Sequence, residues 1–309
     1  MSTDTRTNWL FLPDPATARS PQPTGVAYHR AYAGERRRIL RGVLAIVLLV
    51  ASLILFGQLF LDLADVVDER WLNGTGGAAL AHGAGVLSVA LLIPVSMLLQ
   101  RVLYGVRPSS LHSVTGRFRF ALLGRSLLVF GPFVLVSVSV VPLFLPSPQV
   151  AWSSVDLIAY FVISMLLVPL AAAGEECGFR GFMLRVLGGW TRGERSGAAL
   201  GIIGTTVVFS LLHGSLDPYI LTSYLILFGS LAIITWRTGG LELAIVLHAV
   251  YNTAQLALAT TLHVDVAGQL ASRDVAVGSP AQFIPGAVIV LITAVIWWAT
   301  RATGPVRGS

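Results

Sequence analysis

The sequence predicts an all-α polytopic membrane protein, a bundle of about eight transmembrane helices. Three observations lead there. First, only 12% of the 309 residues are charged and 55% are hydrophobic, for a mean hydropathy of +0.77. A soluble domain carries roughly 25% charged residues, so this chain lacks the polar coat of a water-facing surface. Second, the apolar residues come in runs approaching the ~20 residues that cross a bilayer core. Third, the basic residues, all of them arginine, gather at every other connection between those runs.

Taken in order, residues 1–35 read as a disordered tail, because Pro13, Pro15, Pro21 and Pro23 break any helix and nothing there could form a core. Eight apolar segments follow, at about 39–60, 78–100, 121–145, 156–188, 197–217, 219–236, 240–260 and 281–301. Each must satisfy its own backbone hydrogen bonds in lipid, and none shows the alternation of a membrane β-barrel, so each is a helix. Arg30, Arg36, Arg37, Arg38 and Arg41 precede the first span. The next connection holds Asp62, Asp65, Asp68 and Glu69 and reads as a solvated acidic loop. Arg101, Arg107, Arg117 and Arg119 mark the connection after that, Arg185, Arg192 and Arg195 the end of the fourth span, Arg237 the sixth, and Arg301 and Arg307 the eighth. This alternation predicts a cell-membrane protein with both termini cytoplasmic, its arginines setting topology. Pro94 and Pro169 are expected to kink their helices, and Gly197 with Gly201 offers a small face for close packing.

Composition also excludes classes. The arginines flank apolar runs and form no basic face, so a nucleic-acid partner is not expected. One cysteine, Cys177, allows no internal disulfide and no multi-cysteine zinc site. The polar start does not read as a cleavable signal peptide. Gly74-Thr75-Gly76-Gly77 lacks the lysine of a phosphate loop. No repeat argues for an inverted-repeat transporter.

Function is sought among the polar residues that lie inside the spans, since each costs roughly 2.5–3.5 kcal/mol at the centre of a helix. The fourth span holds Glu175, Glu176 and Arg180, the fifth His213, and the seventh His248 and Asn252. Glu176 and Arg180 are four apart and placed for an ion pair, while Glu175 is rotated by ~100°. That leaves a spare carboxylate, a usable general base in a low-dielectric setting. A charge pair holding two helices together would explain the same residues. His213 alone reads more readily as a satisfied core histidine. His248 and Asn252, again four apart, can donate toward one point, as an oxyanion hole requires, or bond between helices. Glu175, His213, His248 and Asn252 lie within about six residues, roughly 9 Å, of the midpoints of their spans, which predicts one active site within the bundle. His213 fits least well, being late in its span.

Glu175-Glu176-x-x-x-Arg180, Phe209-x-x-x-His213 and His248-x-x-x-Asn252 together resemble the three ordered motifs of the CPBP family, the CAAX protease and bacteriocin-processing (Abi) membrane proteins that include type II CAAX prenyl endopeptidases. The resemblance covers roughly residues 155–260 and suggests a layout of 36–150 as N-terminal transmembrane helices, 151–262 as the catalytic core and 263–309 as an outer loop, last helix and tail. It implies an intramembrane endopeptidase acting on a peptide or membrane-protein substrate. In it Glu175 activates a water, His213 orients or shares that proton, His248 and Asn252 stabilise the oxyanion, and Glu176 with Arg180 positions Glu175. Members are often labelled metalloproteases. No His-Glu-x-x-His is present, and the favoured reading requires no cofactor. Glu175, His213 and His248 could nonetheless supply the about three protein ligands of a zinc. Cys177 invites a thiol mechanism, against which its apolar setting counts. The alternative is a non-proteolytic scaffold or immunity protein that keeps the same residues for structure. A transporter would spread its charges along a path instead of clustering them. The site is expected to open at the arginine-rich end of the fourth span.

Overall fold

Hydropathy and backbone self-sufficiency together produce the architecture. The computed structural model describes residues 25–34, 37–145 and 147–308. Eight helices are long and apolar enough to cross a membrane: α1 Ile39–Leu72, α2 Gly77–Tyr104, α3 Phe120–Leu143, α4 Ser154–Gly188, α5 Glu194–Leu212, α6 Pro218–Thr238, α7 Glu242–Thr261 and α8 Pro280–Ala299. Among the described residues there is no strand, and three isolated bridges tie loops together. The chain is a multi-pass membrane helix bundle. Large apolar side chains left on its outside, such as Leu128 and Ile203, are the surface that lipid covers.

The expected spans hold to within a few residues, with one correction. The acidic stretch 62–69 is not a loop. It continues α1 as helix to Leu72 and leaves a short turn through Asn73, whose backbone is left-handed at φ 52°. Charges at the end of an apolar helix cost little once they clear the hydrocarbon, so hydropathy alone stops the helix too early.

α4 and α7 sit at the centre. α4 packs on α2, α5 and α7, while α7 packs on α3, α4 and α6, and α8 closes the far side against α3 and α6. Small residues permit the tightest approaches. A Cβ on Gly174 would fall 2.3 Å from the Val89 carbonyl oxygen of α2. Gly197 and Gly201 bring α5 against the carbonyls of Gly188 and Leu184, as their spacing suggested. α2 breaks at Leu91, three residues before Pro94, and a π-helical turn, Ile163–Leu167, precedes Pro169 in α4.

Helices alternate in direction, so the chain ends and the α2–α3, α4–α5 and α6–α7 connections share one face. The other four connections share the opposite face. The terminal face is where two expectations need correction. Residues 1–24 and 35–36 lie outside the described residues, but 25–34 are not a disordered tail. Ala27, Tyr28, His29, Ala31 and Tyr32 are buried. Arg30 donates to the carbonyls of Gly188 and Thr191 at 2.7 Å each, pinning the segment to the α4–α5 turn. The proline-rich composition that suggested a disordered tail concealed the aromatic anchors at its end. The arginines, likewise, do more than set topology. Arg185 is buried, stacks on Tyr28 at 3.9 Å and donates to Gln100 and Ser110. Arg119 forms a two-pronged ion pair with buried Glu242, and Arg237 donates to Thr300. An arginine fork makes several bonds at once, which lets one residue join two helix ends.

Candidate active site

The site begins with the path of α4. From Glu176 to Met183 the helix widens into π-helical turns, while Glu175 closes the preceding α-helical stretch. Such widenings are frequent at functional sites because they re-aim side chains out of the regular register. Here the change falls between the two glutamates. Glu176 is fully buried, whereas the Glu175 side chain keeps 19% of its surface exposed.

Glu176 has two charged neighbours. Its Oε1 lies 3.1 Å from Arg180 Nη1 and 2.8 Å from His248 Nδ1. The Arg180 guanidinium is held between Phe209 and Phe228, 4.6 and 4.8 Å from their ring centres, so π-faces stand where hydrogen-bond acceptors are scarce. With His248 Nδ1 turned to Glu176, the other ring nitrogen, Nε2, faces outward. That atom lies 3.4 Å from Glu175 Oε2. The result is a chain, Arg180–Glu176–His248–Glu175, that starts in the buried interior and ends at the partly exposed carboxylate.

This differs from what the resemblance implied. Glu176 and Arg180 bear on Glu175 through His248, and both nitrogens of His248 face carboxylates. Asn252 lies one helical turn beyond His248 on α7 and is half-buried. His213 caps the end of α5. Its Nδ1–H donates to the Phe209 carbonyl at 2.8 Å, which leaves Nε2 as acceptor. Among the described residues no hydrogen bond joins His213 to Glu175 or His248. Instead the two histidines flank one aromatic wall. The ring centre of Phe228 is 4.8 Å from that of His213 and 5.9 Å from that of His248, and Phe209 lies 4.7 and 6.4 Å away.

Phe179, with its ring centre 4.2 Å from that of Phe209, and Tyr224, 4.7 Å from His213, extend this wall, and with Phe228 they were missed in the sequence. Phe228 and Tyr224 are four apart on α6, a span without an acidic, basic or histidine side chain until Arg237 near its end. That aromatic pair was the available signal. Cys177 is buried in the apolar core. No group of three histidine, cysteine, aspartate or glutamate side chains among the described residues is disposed to hold a metal ion. Glu175 and His248 supply two convergent donors, but His213 does not complete a ligand set, so the zinc arrangement does not fit this geometry.

The direction of opening also needs correction. Toward the terminal face, residues 176–188 of α4 and 241–248 of α7 are all buried or nearly so. Glu175, His213, Tyr224, Tyr251 and Asn252, the partly exposed members, lie toward the opposite face. The arginine-rich end of α4 is therefore the closed end.

Residues 155–254 match the family model described as type II CAAX prenyl endopeptidase Rce1-like. No curated protein and no solved structure gives a match.

Proposed function

On the premise that residues 155–254 belong to the Rce1-like type II CAAX prenyl endopeptidase family, we propose that the chain is an intramembrane endopeptidase that hydrolyses a peptide bond with a water activated by Glu175. The observation that carries this is the Glu176–His248–Glu175 relay, with contacts of 2.8 and 3.4 Å and only its last member partly exposed. A structural ion pair needs Glu176 and Arg180 alone. It gives no reason for an imidazole to bridge from that pair to a second carboxylate.

Glu175 takes a proton from water as the water oxygen attacks the carbonyl carbon. His248 Nε2, fixed by Glu176, shares that proton and holds Glu175 in place. The proton then passes to the amine nitrogen as the C–N bond breaks. The Asn252 amide donates to the oxyanion, with His213 a second polar group on the same side. This reading gives His248 the proton-sharing role and leaves the oxyanion to Asn252. The substrate is a membrane-associated peptide or membrane protein entering from the bilayer, and a prenylated C-terminal peptide is the first to try.

The test is cleavage of such a peptide by purified protein in liposomes. Glu175→Gln keeps the shape and removes the base, so the rate should fall by ~10² or more. Asn252→Ala should cost about 10²–10³. Near wild-type turnover by Glu175→Gln would remove the mechanism and favour the scaffold reading. A chelator arm belongs in the same assay: loss of activity that zinc restores would make Glu175 and His248 metal-binding groups.

A further inference from the structure

The chain leaves α7 at Thr261 and re-enters the bundle at Pro280. The segment between is fastened at both ends. Near its start, Val150 N–H donates to the His263 carbonyl at 2.8 Å, Asp265 N–H to that of Pro148 at 3.1 Å, and Gln269 Nε2 to Ser147 Oγ at 3.1 Å. These bonds tie it to the α3–α4 connection. Near its end, Gly278 packs against the Asp217 carboxylate, which accepts the N–H groups of Tyr219 and Ile220, so the segment meets the α5–α6 connection. The segment is thus a strap across the open face, running from the start of α4 to the start of α6. A short helix, Val266–Ala271, capped by Asp265 at 2.8 Å from Gly268 N, stiffens its first half.

Arg273 follows that short helix and is exposed. Among the described residues its side chain makes no hydrogen bond or ion pair. It lies midway along the strap, between the bonds to the α3–α4 connection and the contact with the α5–α6 connection, and within electrostatic reach of His82 of α2, Glu175 of α4, His213 at the end of α5 and Tyr224 of α6. Coulomb interactions fall with distance and are screened in water, so a cation on this strap is placed to act at the open end of the bundle and not deep inside it. The other guanidinium of the site, Arg180, is buried and already paired with Glu176. On the open face Arg273 therefore presents an unengaged fork suited to an oxyanion, on the strap that crosses the end of the bundle toward which Glu175 is partly exposed.

We propose that Arg273 is a specificity residue that binds a carboxylate of the substrate and so fixes which peptide bond reaches Glu175. The inference rests on the endopeptidase reading, but its test does not need turnover. Binding is measured on full-length Glu175→Gln protein with one apolar peptide in three forms: a free terminal carboxylate, the terminal amide, and the amide carrying one glutamate. The free-acid or glutamate form should bind about fivefold tighter than the plain amide. Arg273→Gln should collapse that preference, and Arg273→Lys should restore most of it. A preference for the free acid alone identifies the terminal carboxylate, and one for the glutamate peptide alone identifies a side chain. Equal binding of all three forms, or a preference that survives Arg273→Gln, overturns the proposal. If the preference holds while unsubstituted protein cleaves none of the peptides, the peptidase reading falls and the carboxylate site stands.

Discussion

Arg180 lies between two phenylalanine rings with Glu176 as the carboxylate that answers its charge. Burial makes that pair more valuable intact than either half alone. Arg180→Met would leave Glu176 buried without a cation, at a cost of about 3–5 kcal/mol. Adding Glu176→Gln removes the stranded charge and should recover much of the loss. Thermal unfolding in detergent reads both variants, and equal stability of the single and double variants would mean that the charge pair is not what Arg180 contributes. The Glu176–Arg180 contact was legible in the sequence, because a separation of four fixes a helical face. The His248–Glu176 bond was not, because the two residues are 72 apart and periodicity gives a face without naming the helix it meets.

α4 shows the same limit at the scale of an element. Its span, its proline and its charged positions were readable, and hydropathy placed it within a few residues. Its π-helical turns were not, since a widened turn has no composition of its own. Yet they decide that Glu175 is partly exposed while Glu176 is sealed. The helix also depends on Gly174. At 2.3 Å from the Val89 oxygen, even one methyl group would push α2 and α4 apart. Gly174→Val should therefore destabilise the fold by about 1–3 kcal/mol or more and, by moving Glu175, depress cleavage more than its stability loss accounts for. Thermal unfolding and peptide cleavage on the same preparation check this. Normal stability with normal activity would show that α2 yields easily.

At the scale of the whole molecule, eight spans put both chain ends on one face, and the arginine distribution predicts that this face is cytoplasmic. Reporter fusions after residues 110 and 308 should report the inner side, and fusions after 74 and 270 the outer. An outer signal at 308 with an inner one at 110 would break the eight-span order. The number of spans and the clustering of polar residues were written in the sequence. Which end of the cluster is open was not, since that depends on how completely α4 and α7 seal each other below His248. The packing of 25–34 was also hidden, because its anchors, Tyr28, His29 and Tyr32, only acquire partners from α2, the α2–α3 connection, α4 and the start of α5. The same segment meets the other end of the chain. Gly25 N–H donates to the Gly308 carbonyl at 2.8 Å, Gly308 N–H to that of Val26 at 3.1 Å, and Arg307 reaches Glu194 at 2.8 Å. Mechanically this makes the two ends a fuse. Tension applied between them loads the clasp first, then the 25–34 segment and α8, and reaches the four helices that carry the relay and its aromatic wall only after those have given way.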